Sequence, residues 1–151
     1  MEALYPDFDP FLDAPESNLT SLEARATLNI RNKDGYLCCP VRGQPGWKAA
    51  RPDDIAWGIS RIKSHDICGV NAHARVRLTC KFRSAIYLCN ENPYAIFPKC
   101  DYIATYAEDL VENCTYRRSQ QICGQEFDSD KYNVVIHTTD CVFREEETYT
   151  S

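Results

Sequence analysis

Nine cysteines constrain what this 151-residue chain can fold into more than any other feature. They are Cys38, Cys39, Cys68, Cys80, Cys89, Cys100, Cys114, Cys123 and Cys141. None forms a Cys-x-x-Cys pair, and only three histidines accompany them. The short paired spacing of zinc ligands is therefore missing. A disulfide framework is the expected use, and it belongs to an oxidising compartment. The competing reading is a cytosolic chain with reduced thiols, against which stands how rarely cytosolic chains are so rich in cysteine. Nine is odd, so four bridges leave one cysteine unpaired. Cys38 and Cys39 are adjacent and should each reach a different partner. Spacing alone leaves the connectivity open.

The length suits one domain with a real core and is short for two. A net charge of −5 argues against a general nucleic-acid or anionic-membrane surface. No apolar run is long enough to span a bilayer. Met1-Glu2-Ala3 does not begin a signal peptide; the expectation is that a secretion signal has been cut away and that Met1 is foreign to the mature chain. Residues 1–25 hold six acidic residues, one Arg, three Pro and no Cys, the composition of a flexible acidic arm or propeptide. Its end, Leu22-Glu23-Ala24-Arg25, is similar to sites cut by fungal Kex2-type proteases, with a solvated helical turn as the alternative. Asn18-Leu19-Thr20 and Asn113-Cys114-Thr115 are glycosylation sequons. Residues 26–143 are expected to form one cysteine-rich domain, and 144–151 a frayed acidic tail.

Residues 72–90 supply the centre of the expected sheet. Val76, Leu78 and Cys80 alternate with Arg75, Arg77 and Thr79, the period of a strand with one buried and one wet face. Residues 81–84 are a polar stop, and 85–89 are a second β-rich run, so the pair predicts a hairpin. Upstream, 27–30 is a short candidate strand, Asn32-Lys33-Asp34-Gly35 a turn signal, 36–41 a β-like run and 42–51 a loop. Pro52 suits the first position of a helix, with Asp53 and Asp54 in its first turn. Ile55, Ile59 and Ile62 fall on one face of that helix; Trp57 lies off this stripe and is expected against the loop of Trp47. Beyond the hairpin, Asp101 is a candidate N-cap. The helix it starts has the stripe Ile103, Tyr106, Ala107, Leu110, Val111 and Cys114, with Glu108, Asp109 and Glu112 outward. Residues 122–127 and 132–137 predict a second hairpin about Asp128-Ser129-Asp130. The sum is an α+β domain.

Few residues invite a catalytic role. His65, Asp66 and His73 are close in sequence, and His137 sits on a predicted strand. Histidine with an acid serves acid–base or nuclease chemistry, but no signature spacing supports it here, and loop histidines are the plainer reading. A Cys–His nucleophile needs a reduced thiol, which the odd cysteine allows. Gly124-Gln125-Glu126-Phe127 lacks the glycines of a phosphate loop. Glu126, Asp128 and Asp130 alternate as calcium ligands do, without the glycine and final Glu of an EF-hand. No catalytic residue, metal or cofactor is assigned. Arg75, Arg77, Lys81 and Arg83 form a basic stripe suited to an acidic partner or a phosphate. No aromatic platform is visible beside it, which disfavours nucleic acid and leaves a protein partner. Arg117-Arg118 reads as an exposed loop pair before a dibasic processing site.

Several segments, in order, resemble a known family. They are Ala74-Arg75-Val76-Arg77-Leu78-Thr79-Cys80, Ile86-Tyr87-Leu88-Cys89, Gly124-Gln125-Glu126 followed by Asp128 and Asp130, Val134-Val135-Ile136, and the late Cys141. Across roughly residues 55–141 the chain resembles the LARS (Leptosphaeria avirulence-suppressing) effectors. These are small secreted cysteine-rich proteins of fungal plant pathogens, and they include an extracellular effector of the tomato leaf mould fungus. A family strand motif runs Trp, Arg, apolar, basic; Arg75-Val76-Arg77 fits its last three positions, and Ala74 stands in place of the Trp. The resemblance implies a disulfide-stapled antiparallel β-sheet of about four strands with two main helices packed on it. It further implies no enzymatic activity and a monomer secreted into the plant apoplast, with uptake into host cells in some settings. Such a protein binds host plant proteins, among them a resistance protein that detects it or from which another member masks it. A second resemblance rests on Cys89-Asn90 to Cys100, the 103–111 helix and residues 124–136. It is to fungal killer-toxin and necrosis-inducing secreted proteins, α/β sandwiches acting on membranes or channels, and it ranks second. A small secreted hydrolase or nuclease using His65, His73 or His137 ranks third.

Overall fold

The computed structural model describes residues 32–142 and the backbone of 146–148. The arm at 1–25, the candidate strand at 27–30, the sequon at Asn18 and most of the tail at 144–151 lie outside the described residues. The elements run β1 (Lys33–Cys38), α1 (Pro52–Lys63), β2 (Ala74–Lys81), β3 (Ser84–Asn90), α2 (Cys100–Cys114), β4 (Gly124–Asp128), β5 (Tyr132–Thr138) and β6 (Glu146–Thr148). The strands form one antiparallel sheet in the order β1-β4-β5-β3-β2-β6. The fold is a disulfide-stapled α+β domain, with six strands in the sheet where about four were expected. The extra edge strands hide from a pattern search for physical reasons. β6 is three polar residues long, and β1 opens inside a turn signal.

Residues 33–35 of that turn signal are the irregular first half of β1. Lys33 pairs with Asp128 and Tyr36 with Glu126, and the register slips between them. Gly35, at φ +92°, takes the left-handed conformation that a bulge of this kind uses. β1 stops at Cys38, earlier than the expected 41, because Pro40 has no N–H to give the ladder. α2 also starts differently. Its cap is Lys99, without a side-chain capping bond, and the Cys68–Cys100 disulfide anchors its first residue. Asp101 lies in the first turn instead, where its charge still suits the helix dipole.

Both helices cover one face of the sheet, α1 over β2 and β3, α2 over β1, β4 and β5. The main core joins Ile55, Ile59 and Ile62 of α1 and Ile103, Tyr106, Ala107 and Leu110 of α2 to Ile86, Leu88, Val134 and Ile136 of the sheet. A fully buried side chain of this size contributes roughly 1.5–3 kcal/mol. β3 is buried at every residue. Ile86 and Leu88 face the helices, while Ala85, Tyr87 and Cys89 join Val135 and Trp47 in a smaller core on the opposite face. A continuous apolar run is what a strand buried on both faces requires.

β2 departs from strict alternation. Its register slips between Arg77 and Thr79. Val76 and Leu78 pack toward the helices, but past the bulge Thr79 takes that side and lies against Gly58 of α1. Cys80 is turned to the second core. The single buried row of Val76, Leu78 and Cys80 is thus broken, since one extra residue exchanges the two faces.

Eight cysteines form four disulfides. Cys38–Cys114 ties the end of β1 to the end of α2, and Cys39–Cys123 ties the next residue to the entry of β4. Cys68–Cys100 joins the loop before β2 to α2, and Cys80–Cys141 joins β2 to the segment after β5. Cys89, buried in β3, is free of a disulfide.

Candidate functional site

The histidines do not converge on one site. His65 and Asp66 are exposed beyond α1. His73 precedes Ala74, which pairs with Asn90, whereas His137 pairs with Ala85. Those rungs are five residues apart on β3, about 17 Å at the rise of a strand. His137 is buried between two rings, 5.2 Å from Trp47 and 4.8 Å from Tyr87. Among the described residues, no group of three His, Cys, Asp or Glu side chains is placed to hold a metal ion.

The bulge also splits the basic stripe. Arg75 and Arg77 lie on the second face: the Arg75 guanidinium stands 4.8 Å from the Tyr87 ring, and Arg77 donates to the carbonyls of Asp140 and Cys141 at 3.1 and 3.3 Å. Lys81 leans the other way. Its ammonium is 4.9 Å from the Trp57 ring on α1 and 5.7 Å from the Phe82 ring. Arg61, one turn on from Trp57, sets its guanidinium 5.4 Å from the same indole. Arg83 is exposed at the tip, where its carbonyl accepts the Thr139 N–H at 2.8 Å.

The result is a surface group of two aromatics, Trp57 and Phe82, in contact with two cations, Arg61 and Lys81, with Arg83 next to Phe82 in the turn. Phe82 is 70% exposed. Among the described residues, none of the three cations has a carboxylate within ion-pair distance. Sequence reasoning missed Arg61, Trp57 and Phe82 as members of this group. The signals were present: Trp57 lies off the isoleucine stripe, and Phe82 stands inside what reads as a polar turn. Trp57 does not meet the Trp47 loop as expected, because Trp47 stacks on His137 on the far side of the sheet.

A second polar group is internal. Glu126 and Asp128 face α2, since their partners Val134 and Tyr132 belong to the main core. The Tyr106 hydroxyl donates to the Asp128 carboxylate and lies 2.9 Å from the Tyr102 hydroxyl. Lys33 enters from β1, with its ammonium 2.7 Å from Asp109 and 4.9 Å from the Tyr106 ring. Asp109 therefore points into this cluster and not outward. Burial, then the Asp109 charge, pushes the Glu126 carboxyl up to about 8. Burial pushes Asp128 up to about 6 and raises Tyr106 and Tyr132 well above the usual tyrosine range. Oε1 of Glu126 is buried without a hydrogen-bond partner among the described residues. Such a cluster stores a proton and links stability to pH. Asp130 completes the turn through its N–H to Asp128, 2.7 Å away, so the Asp128–Asp130 signal is an Asx turn. Asn113, the second sequon, is exposed on the last turn of α2 beside the bonded Cys114. No family model matches the chain, and no curated protein matches its sequence.

Proposed function

We propose that this chain is a secreted fungal effector of the avirulence kind, a non-enzymatic monomer that acts in the plant apoplast by binding host proteins and meets a resistance protein. The strand motifs of β2 and β3 suggest the kinship. The observation that carries the reading is the distribution of polar chemistry over the scaffold: histidines dispersed, the Glu126 and Asp128 carboxylates buried beneath α2, and an aromatic–cation group left at the surface. Four disulfides suit an oxidising compartment, and function in a scaffold of this sort resides in a surface patch.

The test is to infiltrate the purified, oxidised protein into a panel of plant lines. A cell-death response that segregates with one resistance locus supports the reading. Death in every line, or arrest of yeast growth, replaces it with a toxin. RNA or ester hydrolysis lost on substituting His65, His73 or His137 by Ala replaces it with an enzyme.

A further inference from the structure

We propose that the β2–β3 tip and the outer face of α1 form a docking surface for an acidic segment of a partner protein that carries an apolar side chain. Phe82 is the anchor, Trp57 the floor, and Arg61, Lys81 and Arg83 the ionic rim. The proposal rests on the reading of the chain as a protein-binding effector and adds where and what it binds.

Three observations converge on this surface. The first is backbone conformation. Lys81 pairs with Ser84, so Phe82 and Arg83 alone make the turn, and both have positive φ, +47° and +70°. Turns of this form favour Asn-Gly because side chains with a bulky Cβ resist the left-handed region. The fold would accept Asn-Gly there, yet the chain places an aromatic and a cation at the two positions. Strain held at a surface tip points to use of the side chains that cause it.

The second is preorganisation. Lys81 stands between the Trp57 and Phe82 rings, and Arg61 lies against Trp57. Cations held on aromatic faces have already lost much of the freedom that binding would otherwise cost. Trp, Arg and Phe are also the residues that concentrate at interface centres.

The third is charge, and it selects the occupant. The whole chain carries −5, yet this patch gathers positive charge, and among the described residues none of its cations has a carboxylate within ion-pair distance. An extended polyanion would meet the acidic remainder of the protein. A partner that is acidic only locally meets the patch alone. The exposed Phe82 adds the demand for an apolar contact that a bare phosphate does not satisfy.

The experiment replaces Phe82-Arg83 by Asn-Gly (F82N/R83G) and, separately, Lys81 by Glu (K81E). The probe is a fluorescein-labelled 12-residue peptide of Glu with two central Leu, beside versions with Ser for Leu and with Lys for Glu. Binding is followed by anisotropy and by the shift of the Trp57 indole resonance in labelled protein. The Glu/Leu peptide should bind at least fivefold tighter than either control and move the Trp57 signal. F82N/R83G and K81E should each weaken it about tenfold, while the urea midpoint of F82N/R83G stays level or rises. Equal binding by parent and F82N/R83G, or no Trp57 shift, overturns the proposal. Sedimentation with phosphatidylserine vesicles in place of peptide binding overturns it in favour of a lipid. In plants, a resistance response kept by F82N/R83G despite lost peptide binding sinks this surface and leaves the effector reading standing. Peptide binding with no response in any line sinks the effector reading and leaves the surface.

Discussion

Replacing Glu126 by Gln should stabilise the protein at pH 8 and leave it nearly unchanged at pH 5. Glu126 is 5% exposed, and burial together with Asp109 raises its carboxyl to about 8 from the usual 4.5. Below about pH 4.5 the group is protonated in both folded and unfolded chains, and stability is at its full value. Between 4.5 and 8 the unfolded chain releases the proton and the folded chain keeps it. The unfolded state then binds fewer protons, so stability falls as pH rises. At 1.36 kcal/mol per pH unit the loss could reach about 5 kcal/mol. Local rearrangement and water entry on ionisation reduce this to roughly 2–3 kcal/mol. Asp128, raised to about 6, adds a slope of the same sign that ends two pH units lower. Gln keeps the size of the side chain and a donor toward Asp109, with no proton to lose. Urea unfolding of the disulfide-intact proteins at pH 5, 6, 7 and 8 measures the difference. The two curves should coincide at pH 5 and separate by roughly 2–3 kcal/mol at pH 8. Parallel profiles, or a Gln variant that is the weaker at pH 8, would refute a neutral buried Glu126.

Gly124→Ala should cost ~1–3 kcal/mol by urea unfolding, because a Cβ there would stand 2.8 Å from the Leu37 carbonyl and 3.0 Å from the bonded Cys114 sulfur, neither free to move aside. A midpoint within error of the parent would contradict that contact. Removing the Cys80–Cys141 bond with paired serines reopens a loop of sequence separation 61 and should cost about 4 kcal/mol by the chain-entropy relation; a loss under ~1 kcal/mol would show that this segment is ordered in the unfolded chain as well. Cys89 is buried without a disulfide, so iodoacetamide should leave the native protein unlabelled and add one group after denaturation without reductant. Two or more groups on intact-mass measurement would contradict the four bridges.

The parts of the fold that sequence exposes are those where one period runs long enough to be seen. Ile55, Ile59 and Ile62 keep helical spacing without interruption, and so do Ile103, Ala107 and Leu110. Each stripe is buried in the main core. The β2–β3 and β4–β5 hairpins show through the same way. What stays hidden are single-residue events. One bulge at residues 77–79 moves Cys80 across the sheet and parts Lys81 from Arg75 and Arg77. Another makes residues 33–35 of the turn signal into strand, which brings Lys33 to Asp109. No local pattern foretells either, because a bulge is chosen by the packing on both faces at once. The basic stripe fails as a unit for that reason, and the aromatic–cation group replaces it through a contact between α1 and the hairpin tip, which are distant in sequence.

A strained turn persists only where its surroundings fix it from several sides, and the tip at Phe82-Arg83 meets that condition. Lys81 and Ser84 close the ladder beneath it. On one side the Thr139 N–H holds the Arg83 carbonyl. The segment that carries Thr139 is held in turn by the Cys80–Cys141 bond and by Arg77, whose guanidinium spans the carbonyls of Asp140 and Cys141. On the other side Lys81 meets Trp57 of α1, and α1 is pinned where Gly58 lets Thr79 approach its backbone. The bulge is what makes both attachments available. It turns Cys80 toward residue 141 and the next residue, Lys81, toward α1. A hairpin without the bulge would send those two side chains to the opposite faces, losing the disulfide and the cation–aromatic contact together. The irregularity that defeats the alternation pattern in β2 is therefore the same one that builds and braces the aromatic–cation surface at the hairpin tip.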